Sequence, residues 1–167
     1  VSALLEAAAV ACGRSDFALL LAQQRGFSNL GPVGLLARDE PSVGAAIATI
    51  AEYMPIHNDA LALTLEEAGD SVTVRAAILT PPPNTQAHEL AVAMIFRIVR
   101  QLIGPDWHPE MISLSRPRPA DVRGFGAFFG QRPVFEAGFV GVTLRRASFD
   151  LPNRLADPAS HHLTLRS

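Results

Sequence analysis

Lysine is missing altogether, and all 14 basic residues of this 167-residue chain are arginine. A Schiff-base amine, a phosphate-loop lysine and a lysine general base are therefore excluded, and several classes of enzyme go with them. The one cysteine, Cys12, leaves no disulfide within the chain and no thiolate metal site. Its alanine-rich helical surroundings suit a small buried hydrophobe. Tyrosine occurs once, as Tyr53. No run of about 18 apolar residues appears, which argues against a membrane span. Glu6 near the start, with no basic residue before it, argues against a signal peptide. A cytoplasmic location is expected. The start at Val1 without methionine and the histidine-bearing polar end suggest an excised domain.

What is present is a chain 49% hydrophobic and 18% charged, enough for one well-buried domain and too short for two. Charge is unevenly spread: residues 1–96 carry 4 Arg against 10 Asp and Glu, and residues 97–167 carry 10 Arg against 6. The basic second half mildly favours an anionic ligand or partner.

The organising stretch is Thr85 to Ile103. At 100° per residue, Gln86, Glu89, Arg97, Arg100 and Gln101 fall on one arc and apolar residues fill the rest, which predicts a helix covered on more than one side. Asn84 or Thr85 is placed to cap it, and Gly104-Pro105 to stop it. His88 points away from the polar arc, toward Val92, Ile95 and Val99. It is either a core histidine satisfied by a backbone carbonyl or a ligand contact beneath the helix.

In chain order, a helix is expected from Ser2 to about Ala11, with Leu4, Leu5, Ala8 and Cys12 on one face and Gly13 ending it. A second runs from Ser15 or Asp16 to Gly26 on a stripe of Phe17, Leu20 and Leu21. A short one starts at Pro32 and runs through Ala37. Ser42 caps a longer helix on which Val43, Ile47, Ile50, Ala51 and Met54 recur until Pro55. From Ala60 the period becomes alternating, turns at Gly69-Asp70 and resumes through Val72, Val74, Ala76 and Ile78, a hairpin with one apolar face. After the central helix come a strand near Met111–Ser115, a short helix capped by Asp121 and ending at Phe128-Phe129-Gly130, and brief strands near Pro133–Phe135 and Gly141–Leu144. Residues beyond Leu151 read as a polar tail. This order predicts an α+β fold: N-terminal helices, a β-hairpin, a long central helix and further short strands in an antiparallel sheet packed against helices. The expected division is a single domain over residues 1–150 and a tail or linker over 151–167.

No spacing of a catalytic or metal motif is found, so neither a metal nor a cofactor is expected. His57, His88 and His108 are scattered, and His161-His162 reads as a solvated pair. Gly124, Gly126 and Gly130 have the wrong spacing for a phosphate-binding loop and no lysine to serve it. Direct DNA binding would need a basic recognition helix, which is lacking. Arg116, Arg118 and Arg123, broken up by Pro117 and Pro119, form either a solvated loop or an anion contact, for which Arg116 and Arg118 are the candidates. Tyr53 and His57, at the end of the helix before the hairpin, are expected to meet His88 beneath the central helix. With Arg97 reaching an anionic end, they would form a pocket for a mostly apolar small molecule.

Several stretches resemble one family when taken in order: Leu4-Leu5-Glu6-Ala7-Ala8 with Cys12-Gly13; Gly31-Pro32-Val33-Gly34-Leu35-Leu36-Ala37-Arg38; Gly104-Pro105-Asp106-Trp107-His108-Pro109; and Phe128-Phe129-Gly130 before Pro133-Val134-Phe135. Together they are similar to the N-terminal regulatory domain, the so-called arabinose-binding domain, of AraC-type bacterial transcription regulators. The resemblance implies an effector-sensing domain, with dimerisation as a further candidate role and without catalysis, acting on DNA only through a separate C-terminal domain absent from this chain. The helical periodicity does not suit the sugar-binding barrel of the arabinose regulator, so neither that fold nor a sugar is carried over. Arg116, Phe125 and Val140-Gly141 depart from the pattern of this branch. The rival reading is a ligand-free structural dimerisation domain.

Overall fold

The computed structural model describes residues 1–156. Helices α1 (Ser2–Cys12) and α2 (Phe17–Ala22), a 3-10 turn (Phe27–Leu30), α3 (Pro32–Arg38) and α4 (Val43–His57) come first. The hairpin β1 (Leu61–Ala68) and β2 (Ser71–Ile78) follows, then α5 (Thr85–Ile103), β3 (Met111–Ser113), α6 (Arg123–Phe129), β4 (Gly141–Arg145) and α7 (Arg146–Phe149). The four strands form one antiparallel sheet in the order β1-β2-β4-β3, and the fold is α+β as the sequence predicts.

Alternation fixes which face of the sheet is buried. Val74 lies opposite Leu65 on one side and Val142 on the other, and Val142 lies opposite Ile112, so one face is apolar from edge to edge. On the opposite face Thr73 and Thr143 share a hydroxyl hydrogen bond of 2.9 Å. Helix α5 packs on the apolar face and is also covered by α1, α2 and α4, as its wide apolar arc requires. Val92, Phe96, Val99 and Leu102 are essentially inaccessible, and each such side chain contributes about 1.5–3 kcal/mol of burial. Against the far side of α5, Phe96 meets Phe129 and Trp107 at ring-centroid distances of 5.3 and 5.9 Å.

Ser42 caps α4 as expected, its Oγ accepting from Ala45 N at 3.1 Å. Pro55 does not stop that helix, which continues to His57 because a proline near the C-terminus loses only one hydrogen bond. Asp121 Oδ1 accepts from Arg123 N at the start of α6. The segment around Val134 joins the sheet only by a single bridge to Ser113.

Several expectations fail for reasons of long-range packing. Cys12 is exposed, because α1 docks through Ala9 and not through the Leu4 side. In α2 the buried residues are Ala18, Leu19 and Ala22, while Leu20 faces out, and the helix ends at Ala22 well before Gly26. Neither Asn84 nor Thr85 caps α5 with its side chain. Glu6 of α1 does this instead, accepting from Gln86 N at 2.6 Å, where a negative charge also suits the helix dipole. Gln86 and Glu89 are not on a solvated arc: they are 3% and 1% exposed. From Pro152 to Ala156 the chain stays docked, with Asn153 buried and its Nδ2 donating to the carbonyls of Ala37, Arg38 and Glu40. His161-His162 lies outside the described residues. Among the described residues no helix is long and apolar enough to cross a membrane.

Candidate ligand site

Where α4 and α5 part above the hairpin, a chamber of about 410 Å³ opens. This size falls within the range of small-molecule sites. Helical spacing builds two of its walls. Ile47, Ile50, Met54 and His57 recur along one face of α4, and Ala87, Leu90, Ala91, Met94, Ile95 and Ile98 along one face of α5. Leu61 and Leu63 of β1 and Val74 and Ile78 of β2 make the floor, and Leu5 of α1 with Leu30 closes the far side. The lining is mostly aliphatic, so an occupant gains by hiding apolar surface from water.

Polar groups lie at the rim. His57, Asn58 and Asp59 come from the end of α4, Arg25 and Asn29 from the connection after α2, and Ser2 and Thr80 share a 2.8 Å hydroxyl hydrogen bond across the mouth. The rim thus presents one guanidinium, one carboxylate and one imidazole, while the interior holds no charge. A molecule with an apolar body and one polar or acidic end matches that distribution.

Of the residues expected in the pocket, the structure brings only His57 to the chamber. Tyr53 does not line the chamber: it sits at the edge of the face that carries Ile50 and His57, and its side chain is exposed. His88 is half-buried and already hydrogen-bonded: Nδ1 lies 3.0 Å from the Asn84 carbonyl, and Nε2 accepts from Ile78 N at 3.4 Å, tying α5 to the end of the hairpin. Arg97 does not line the chamber. Its Nε donates to the Arg25 carbonyl at 2.7 Å, so it holds the segment that carries the rim arginine.

Arg116 is already engaged by an internal carboxyl group. Its Nη1 donates to Glu89 Oε1 at 2.7 Å and to the Ser15 carbonyl at 3.1 Å. Burial pushes the Glu89 carboxyl up to about 7 against the opposing pull of Arg116, with smaller upward pushes from Glu6 and Asp16. Arg118 is exposed and makes no ion pair among the described residues. The same residues hold no group of three or more His, Cys, Asp or Glu side chains able to take a metal.

Arg25, Asn29, Asn58 and Asp59 were not foreseen from the sequence.

A helical layer folded over a four-stranded antiparallel sheet, with an apolar chamber where the layers separate, is the class of domain that this geometry defines. The family model described as the arabinose-binding domain of AraC transcription regulator, N-term, matches residues 1–153, and the chain belongs to that family. Among curated relatives it is 32% identical to the HTH-type transcriptional regulator VirS of Mycobacterium tuberculosis, in each of two strains, over 98% of this chain and 49% of theirs. The chain therefore spans about half the length of the curated relatives it matches. Among solved structures, the transcriptional regulator CdpR from Pseudomonas aeruginosa shares the fold with a TM-score of 0.72 at 19% identity, covering 85% of this chain and 47% of that one.

Proposed function

We propose that this chain is the effector-sensing domain of an AraC-type transcription regulator of the bacterial cytoplasm. In this reading the α4–α5 chamber takes a small molecule with an apolar body and one acidic or polar end, and Arg25 and His57 meet that end at the rim. The observation that carries the reading is the aliphatic chamber with its few polar groups gathered at the mouth. Membership of a regulator family supports sensing over catalysis. Because the chamber is walled by α1, α4 and α5 together, an occupant that fits one arrangement of these helices better than another shifts their balance. That shift is then passed to a DNA-binding module tethered in the full-length protein.

A second reading, homodimerisation, is supported by Leu4 and Val10, which stand exposed on the outer side of α1. The two are compatible, and a ligand-free dimerisation domain is the limiting case. Thermal-shift screening of aliphatic and aromatic carboxylic acids against the domain separates them. Effector sensing predicts a concentration-dependent rise in melting temperature for at least one chemical series. A panel without a hit, together with a stable dimer, favours the purely structural role.

A further inference from the structure

On the side of α5 facing away from the chamber lies a second concavity, an open groove of about 470 Å³ between α5, α6 and the segment that follows α7. Three arginines line it: Arg97 and Arg100, one turn apart on α5, and Arg154. No carboxylate is among its lining residues, and none of the three is in an ion pair among the described residues. Two of the guanidiniums are held in place. Arg97 Nε is bonded to the Arg25 carbonyl, and Arg100 donates to the Pro105 carbonyl while lying over the Phe96 ring, 5.4 Å from its centroid. Each keeps further N–H donors that these bonds do not use. Phe96 and Phe128, with Ala127, supply apolar surface beside the charges.

We infer that this groove binds a small organic phosphate, with the phosphoryl group on the arginines and the organic body against Phe128. Arg100, in the last turn of α5, also offsets the negative end of the helix dipole, which accounts for one of the three positive charges. Two remain without a carboxylate partner among the described residues. A carboxylate brings a single negative charge, whereas a phosphate monoester brings nearly two, with three acceptor oxygens that suit planar guanidiniums. Arg154 stands in a segment whose backbone is bonded to α5 through Arg154 N and Leu102 O at 2.9 Å. A phosphate bridging Arg154 to Arg100 therefore fastens the end of the described chain to the central helix. The groove shares no lining residue with the chamber, and the Arg97 bond to the Arg25 carbonyl links the two.

Calorimetric titration of the 167-residue chain with phenyl phosphate, inorganic phosphate and benzoate tests the inference. Phenyl phosphate should bind about tenfold more tightly than benzoate, because charge and acceptor number differ while the ring does not. Arg100→Gln and Arg154→Gln should each weaken it by about tenfold, with Arg154→Lys intermediate because charge survives and the planar fork is lost. Phe128→Ala should remove most of the advantage over inorganic phosphate. Arg154 is exposed, so its variants report on binding even if another substitution disturbs the fold. Equal affinity for benzoate, unchanged binding in both arginine variants, no saturable binding of phenyl phosphate, or retention of duplex DNA alone by these arginines would each overturn the assignment.

Discussion

Arg116 reaches from the loop after β3 to Glu89 in the middle of the fold, Nη1 to Oε1 at 2.7 Å, and this pair joins α5 to the connection between α1 and α2 through the Ser15 carbonyl. Glu89 is almost inaccessible, and its Oε2 has no hydrogen-bond partner among the described residues. Burial outweighs the guanidinium, so the folded-state carboxyl titrates at about 7 and not near the ordinary 4.5.

A pH dependence follows. Between the unfolded and folded values the native protein holds a proton that the unfolded chain has lost, so this group's contribution to stability is complete below the unfolded value and is lost as pH rises through about 7. Urea unfolding should show stability falling from about pH 5 to about pH 8, by at most about 3 kcal/mol from this group. Glu89→Gln, which cannot titrate, should flatten that window. An equal slope in wild type and variant would show that other groups set it.

Ile95 sits on the face of α5 turned to the chamber and is 7% exposed. Replacing it with aspartate places an unpaired carboxylate among aliphatic side chains, and the domain should lose about 3–5 kcal/mol. An unchanged melting temperature would mean that the buried face of the helix has been misassigned.

His88 and Tyr53 now separate. His88→Ala removes the link between α5 and the hairpin end and should cost about 1 kcal/mol of stability. Tyr53→Phe should leave both stability and ligand affinity as they were, since the side chain is exposed and does not line the chamber. A Tyr53→Phe variant with tenfold weaker ligand binding would bring that residue back to the site.

What could be read from the sequence was what period and punctuation encode. The span of α5 from Thr85 to Ile103, its apolar face through Ile95 and Val99, the Gly69-Asp70 turn and the Ser42 cap all follow from local chemistry. The chamber's walls were legible in the same way, but spacing alone did not separate His57, which lines the chamber, from Tyr53, which sits at the edge of the same face and is exposed. The rim was not legible, because Arg25, Asn58 and Asp59 come from loops whose meeting depends on how the helices dock. Gln86 and Glu89 looked solvated because their partners, Ser15 and Arg116, are 71 and 27 residues away. Asn153 was missed for the same reason, its acceptors lying between 113 and 116 residues back.

Asn153 is accordingly a latch. Asn153→Ala leaves the carbonyls around Ala37–Glu40 without this donor and should cost about 1–3 kcal/mol, with amide exchange rising first in the segment after α7. Exchange that rises uniformly across the domain would contradict a local latch.

The 167-residue chain carries net charge −2, and its described residues present no basic recognition helix, the arginines of α5 being half-buried. Gel-shift assays at physiological salt should show no sequence-specific duplex binding. A shift resistant to competitor DNA would refute this.

The central claim is that the α4–α5 chamber is where an effector sits. Methyl NMR of the domain, titrated with the best hit of the carboxylic-acid screen, tests it most directly. The account predicts saturable shifts at Ile47, Ile50, Met54, Leu63, Met94 and Ile95, which line the chamber, with Leu35 and Leu36 of α3 unmoved. Shifts confined to the exposed methyls of α1 and α3, with the chamber methyls silent, would contradict it.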